Sequence, residues 1–202
     1  MSKTRRDIAR APALLLQLRD STRDYHHALD HHPELQRLLR PGLTLNGYRR
    51  SLLALHAPQA ALEGAVAEGA MYLGQAELLS PCRLPALEAD LAALGVAQTD
   101  TDISHRPSVP RSAAELLGLR YVLEGSRLGA EVIVRCLHDT LGEAAPVSFF
   151  AASQGHWHWR NFVAQLTTTR LNAQEQQRAI SAAQHAFEAY RAGLEIEKPV
   201  TT

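Results

Sequence analysis

The sequence has no surplus charge, few cysteines and no long apolar run. Lys and Arg number 21 and Asp and Glu number 21, so the net charge is zero with His neutral. A nucleic-acid or acidic-membrane binder normally carries a basic excess, so neither partner is expected. Two cysteines, Cys82 and Cys136, exclude a disulfide scaffold and a Cys-rich zinc site. Such scarcity suits a reducing compartment, and a cytoplasmic location is expected. No run of about 18 apolar residues is present, so no transmembrane helix is expected. The basic start, Lys3 to Arg6, leads into an apolar stretch too short for a signal peptide and broken by Pro12. Also missing are β alternation, an internal repeat, a nucleotide-binding glycine fingerprint and the Glu-x-x-His pairs of a di-iron bundle. With 46% hydrophobic and 21% charged residues, the 202-residue chain has the composition of one globular domain with a sizeable core.

What is present is one helical pattern after another. Leu14, Leu15, Leu18, Thr22, Tyr25 and Leu29 recur at helical spacing and predict one helix over 12–32, interrupted by Pro33. A short helix through Leu35, Leu38 and Leu39 should end at Pro41-Gly42. A long one over 44–72 contains Pro58, which is expected to kink it. Another over 84–94 stops at Gly95. Residues 98–110 are polar and read as a loop. Ser112 and Glu115 have capping-box spacing and open a helix to about Leu141, apolar almost all round, which belongs in the middle of a bundle. Pro146 opens the next helix. Asn172 with Glu175 caps the last, which ends near Gly193. The expected fold is all-α, one domain of six to eight helices over 12–195, with tails at 1–11 and 196–202.

Histidine, arginine and glycine must carry the chemistry. The chain has ten histidines, and His26, His27, His31 and His32 cluster on the first helix. His26 stands out by its neighbours. Arg19 and Arg23 fall within about 60° of it on a helix of 100° per residue, and Asp30 lies one turn on. That face offers a nitrogen ligand, two cations and a carboxylate able to orient the imidazole. It would suit a planar anionic ligand with a metal at its centre; surface salt bridges at helical spacing are the plainer alternative.

Gly125 and Gly129 interrupt the middle of the apolar helix. Each costs roughly 1 kcal/mol against alanine in a helix interior. Close helix–helix packing would offset that cost; so would a flat ligand lying on the backbone at a bend.

The run Leu18-Arg19-Asp20-Ser21-Thr22-Arg23-Asp24-Tyr25-His26 resembles the opening motif of the haem (heme) oxygenase family. Leu117-Gly118 through Tyr121-Val122, Glu124-Gly125-Ser126 and Leu128-Gly129-Ala130 resembles its distal-helix motif. The likeness is closest to bacterial members, including those that accompany bacteriophytochromes, and covers about residues 14–190. It implies a multi-helix bundle with haem sandwiched between a proximal N-terminal helix and a Gly-kinked distal helix. It implies that His26 is the axial ligand of haem iron, and that Arg19, Arg23 and Arg170 pair with propionates. Gly125 and Gly129 would lie over the other haem face. Haem would be both cofactor and substrate, opened with O2 and external electrons to biliverdin, carbon monoxide and ferrous iron. A ferredoxin, a flavin reductase or a small reductant would serve as donor, and a bacteriophytochrome apoprotein as a downstream partner. Ser126 stands where mammalian-type members carry an aspartate, so the protonating group is left to water, backbone or another residue. Ala130 replaces a glycine found in many members. A non-catalytic haem carrier or sensor on the same fold is the alternative.

Overall fold

The computed structural model describes residues 12–79, 81–96, 104–153 and 156–195. Both expected tails and part of the 98–110 loop lie outside them. Among the described residues there are ten α-helices, one 3-10 turn (Ala76–Leu78) and no strands. The helices are α1 (Ala13–Ser21), α2 (Arg23–Asp30), α3 (Pro33–Arg37), α4 (Leu45–Tyr72), α5 (Leu84–Ala93), α6 (Ala113–Gly125), α7 (Ala130–Leu141), α8 (Ser148–Ala151), α9 (Trp157–Thr168) and α10 (Ala173–Leu194).

The all-α expectation holds, but six to eight helices was too few: two apolar patterns each contain a break, and the helix expected after Pro146 is two, α8 and α9. The predicted 12–32 helix is two helices. Thr22 leaves helical geometry at φ −111°, ψ 7°, and its hydroxyl donates to the Leu18 carbonyl at 2.7 Å. The same carbonyl keeps the Thr22 amide at 3.0 Å, and back-bonding of this kind often bends a helix. The predicted 112–141 helix divides at residues 126–129. There Arg127, Leu128 and Ala130 donate to carbonyls three residues back, at 3.3, 3.0 and 3.4 Å. Only its first half sits in the middle of the bundle. Residues 116–124 are all buried, whereas Val132 in α7 is 54% exposed.

Pro58 does not break α4, which runs on through it. Its ring packs against Gly193 of α10, where an added Cβ would lie 3.0 Å from the proline Cβ. Ser112 accepts from the Glu115 amide, but the Glu115 carboxylate takes the Arg111 amide, so that capping box is half formed. The Asn172–Glu175 box is complete. Buried carboxylates start two further helices. Glu63 accepts from the amides of Arg83 and Leu84 at the head of α5, and Asp90 from those of Ser148 and Phe149 at α8. Both cysteines are free.

The core lies where α6 packs along α10, with α4 against both. Gly118 makes that crossing: a Cβ there would stand 2.2 Å from the Ala179 carbonyl and 2.9 Å from the Ala182 Cβ. Helix propensity alone would favour Gly118→Ala by roughly 1 kcal/mol. The clash opposes it, and overpacking of this kind costs about 1–3 kcal/mol. The variant is therefore expected to unfold at lower urea than the wild type. An equal or higher midpoint would show that the crossing can relax.

Candidate functional site

His26 lies on α2 with its side chain 59% exposed, and its Nδ1 is 2.8 Å from Asp30 Oδ2. The carboxylate fixes one ring nitrogen and leaves Nε2 outward, with no protein partner among the described residues. A ligating imidazole needs this arrangement. The other histidines of the cluster have local duties. His27 and His31 stack at 4.0 Å, and His32 accepts from the Glu34 amide at the head of α3.

An aromatic set joins His26 to the distal segment. The Phe187 ring of α10 is 6.1 Å from the His26 ring and 6.5 Å from Tyr121. Tyr121 lies one turn before Gly125, and its hydroxyl is 3.3 Å from that of Thr22. Trp159 of α9 spans the rest of the gap. Arg19 stands 5.9 Å over its ring, and a Cβ on Gly125 would lie 3.8 Å from its edge. The proximal helices and the glycine segment thus share a floor of Tyr121, Trp159 and Phe187.

The two glycines do not serve helix packing. A Cβ on Gly129 would meet nothing within 4 Å, and one on Gly125 would meet only Trp159. Gly118, seven residues earlier, shows what a packing glycine looks like. Leu128, beside Gly129 in sequence, and Val132, nearly one turn beyond it, are 36% and 54% exposed. The segment therefore presents bare backbone flanked by exposed apolar side chains.

The expected cations are differently placed. Arg23 pairs with Asp20 and both are exposed. Arg19 is exposed and stacks on Trp159. The break at Thr22 lies between Arg19 and His26, so one continuous helix face does not relate them. Arg170 lies beyond the opposite end of α9 from Trp159, roughly 14 Å along at 1.5 Å per residue. It donates to the Thr167 carbonyl, and no described contact joins it to the cluster.

Ser126 is exposed beside Gly125; its hydroxyl donates to the Leu123 carbonyl and accepts from Arg83 Nη2, both at 2.7 Å. Arg83 was not singled out from the sequence. Nothing in its own segment, between two prolines, marks a partner 43 residues away. Glu124 and Arg127 turn inward as a buried pair, 3.1 Å apart, and Arg127 also donates to the Pro81 carbonyl. Neither faces the open side. Burial, with Arg127 adding to it, lowers the pKa of His158.

These residues fit a flat, anionic, iron-centred ligand: an outward imidazole nitrogen, bare backbone beside exposed apolar groups, and cations at the margin. A groove of about 680 Å³ between residues 105–110, α6 and α10 contains none of them.

The family model described as Heme oxygenase matches residues 12–195. A Heme oxygenase from Xanthomonas campestris pv. campestris (strain 8004) is 35% identical over 117 residues, which are 57% of this chain and 68% of that protein. The heme oxygenase structure from Leptospira interrogans superposes with a TM-score of 0.65 at 19% identity, over 90% of this chain and 98% of that one. The NO- and CO-bound heme oxygenase of Neisseria meningitidis gives 0.63 at 22% identity, over 90% and 89%. Heme oxygenase-1 of Synechocystis sp. PCC6803, solved in complex with heme, gives 0.61 at 18%, over 90% of each. On the family match across nearly all described residues, and with a relative at 35% identity, this chain belongs to the haem oxygenase family.

Proposed function

We propose that the open side bounded by His26 and by Gly125, Ser126 and Gly129 is where this haem oxygenase holds its substrate. The chain acts on haem with O2 and a reductant. Haem supplies the iron at which O2 is reduced, and its own ring is the substrate that opens to biliverdin. The protein's part is placement. His26 offers Nε2 as the axial donor while Asp30 holds the ring by Nδ1. An imidazole donor, unlike a thiolate, does not push electron density to favour O–O cleavage. Gly125 and Gly129 let a planar ring approach the backbone, and Leu128 and Val132 cover its apolar edge. Tyr121, Trp159 and Phe187 close the inner side against water. Such orientation can supply much of a barrier reduction without a nucleophilic side chain.

The observation that carries this reading is the empty space beside Gly129, on a segment whose glycines have no other structural use. The test is aerobic incubation of the haem-loaded protein with ascorbate. Loss of the Soret band with growth of biliverdin absorption and release of carbon monoxide is expected. A Soret band that persists under several reductants would indicate a carrier or sensor.

Arg19 and Arg23 are proposed as propionate partners, from their exposure at the margin of this side; Arg23 would give up Asp20 to do so. The Arg19→Ala, Arg23→Ala double variant is expected to bind haem about tenfold or more weakly, or to change the biliverdin isomer, since charge-assisted bonds are worth about 1.5–3 kcal/mol each. Unchanged affinity and unchanged isomer would remove both from the site. For Arg170 the proposal rests on the resemblance alone. Supply of biliverdin to a bacteriophytochrome apoprotein rests on the distal-motif resemblance. A ferredoxin or a flavin reductase is the proposed donor class, and the cytoplasm the proposed location, from the scarcity of cysteine. No helix among the described residues is long and apolar enough to cross a membrane.

A further inference from the structure

Arg83 is the least explained residue of the molecule. It is 2% exposed, and its guanidinium ends on two neutral hydroxyls, Ser126 Oγ at 2.7 Å and Ser153 Oγ at 2.9 Å. Its Nε is buried with no hydrogen-bond partner. No carboxylate among the described residues is within ion-pair distance of it. Glu63 is occupied by Gln59, Cys82 and the amides of Arg83 and Leu84. Glu124 is taken by Arg127. Burial, then repulsion from Arg127, lowers the Arg83 pKa to about 10, which still leaves it charged near neutrality.

Glu63 and Glu124 act on Arg83 only from beyond ion-pair distance, and a buried cation with no counter-ion in contact is costly. The guanidinium also lies over the Phe149 ring, 4.9 Å from its centroid, a cation–π contact that offsets only part of that cost. The charge is delivered to one accessible place, the exposed Ser126 beside Gly125. The Ser126 proton is committed to the Leu123 carbonyl, so what reaches the open side there is positive potential rather than a free hydroxyl proton.

We propose that Arg83, acting through Ser126, is the fixed positive charge by which the distal side of the haem site binds a small anionic ligand opposite His26. This rests on the proposed haem site. A preorganised charge favours a ligand that gains negative charge as electrons arrive, at no cost of reorganisation. It gives the chain an electrostatic device where Ser126 itself is not acidic. Arg83 is a positioning residue, so its test must separate charge from architecture.

The ferric haem complex is titrated with azide, an anion, and with imidazole, a neutral ligand, and read by absorption. Arg83→Met is expected to weaken azide binding about tenfold or more while imidazole affinity stays within about twofold, the size expected for one lost charge-assisted contact. Arg83→Gln removes the charge but keeps a polar amide at this position; it should show the same selective loss and carries the test if the methionine variant does not fold. Arg83→Lys should restore most of the azide affinity. Equal weakening of azide and imidazole, or unchanged azide affinity in both neutral variants, would overturn the proposal. A wild-type chain that takes up no haem would overturn the site reading itself, and this inference with it.

Discussion

His26→Ala is expected to abolish the imidazole-ligated haem spectrum while leaving the fold intact. The side chain is mostly exposed, and its one polar partner is Asp30 on the same helix. An exposed pair of this kind is worth about 0–1 kcal/mol, so removing it should leave the helical circular dichroism and unfolding midpoint nearly unchanged. The iron, by contrast, would lose its only proposed protein ligand. Added imidazole should then enter the vacated space beside Phe187 and restore much of the Soret band. That recovery separates loss of a ligand from loss of a pocket. An unchanged Soret band in the variant, without imidazole, would remove His26 from the site. Asp30→Asn should act more weakly, since it loosens the ring without removing the donor.

The second large effect is expected at Gly129. Its backbone is in the ordinary right-handed region, φ −82°, ψ −11°, so a side chain there meets no conformational barrier. It also meets no atom within 4 Å. Gly129→Leu should therefore be neutral or slightly stabilising to unfolding, while filling the space over which the substrate is proposed to lie. Haem affinity or turnover is expected to fall at least tenfold. The paired result with Gly118→Ala is what identifies function. One glycine should tolerate bulk in the fold and lose activity, and the other should lose stability. Normal turnover with leucine at 129 would show that the open face is not the reacting one.

The sequence made some of this legible and hid the rest for physical reasons. Helical periodicity found α4, α5, α6 and α10, because their apolar positions face one core. Asn172 and Glu175 announced the last helix because a capping box is local. His26 with Asp30 and Gly125 with Gly129 could be singled out because one turn of helix separates each pair. The break at Thr22 was not visible, since the apolar spacing continues across it and the hydroxyl bond to the Leu18 carbonyl leaves no mark in the sequence. The 126–129 turn was anticipated as a bend but not as a boundary. Leu128 and Val132 looked like core because apolarity does not report which side of a helix a ligand will cover. Arg83 was missed for a different reason. Its meaning depends on Ser126 and Ser153, 43 and 70 positions away, and on carboxylates that turn out to be engaged elsewhere. The place of Trp159 between Arg19 and Gly125 depends on how α9 docks.

The most direct measurement is a crystal structure of the haem complex. The account predicts iron bonded to His26 Nε2, Asp30 still on Nδ1, and the ring lying against Gly125 and Gly129 with Ser126 on the side opposite the histidine. Haem seated in the groove between residues 105–110, α6 and α10, or ligated by His156 or His158, would contradict it.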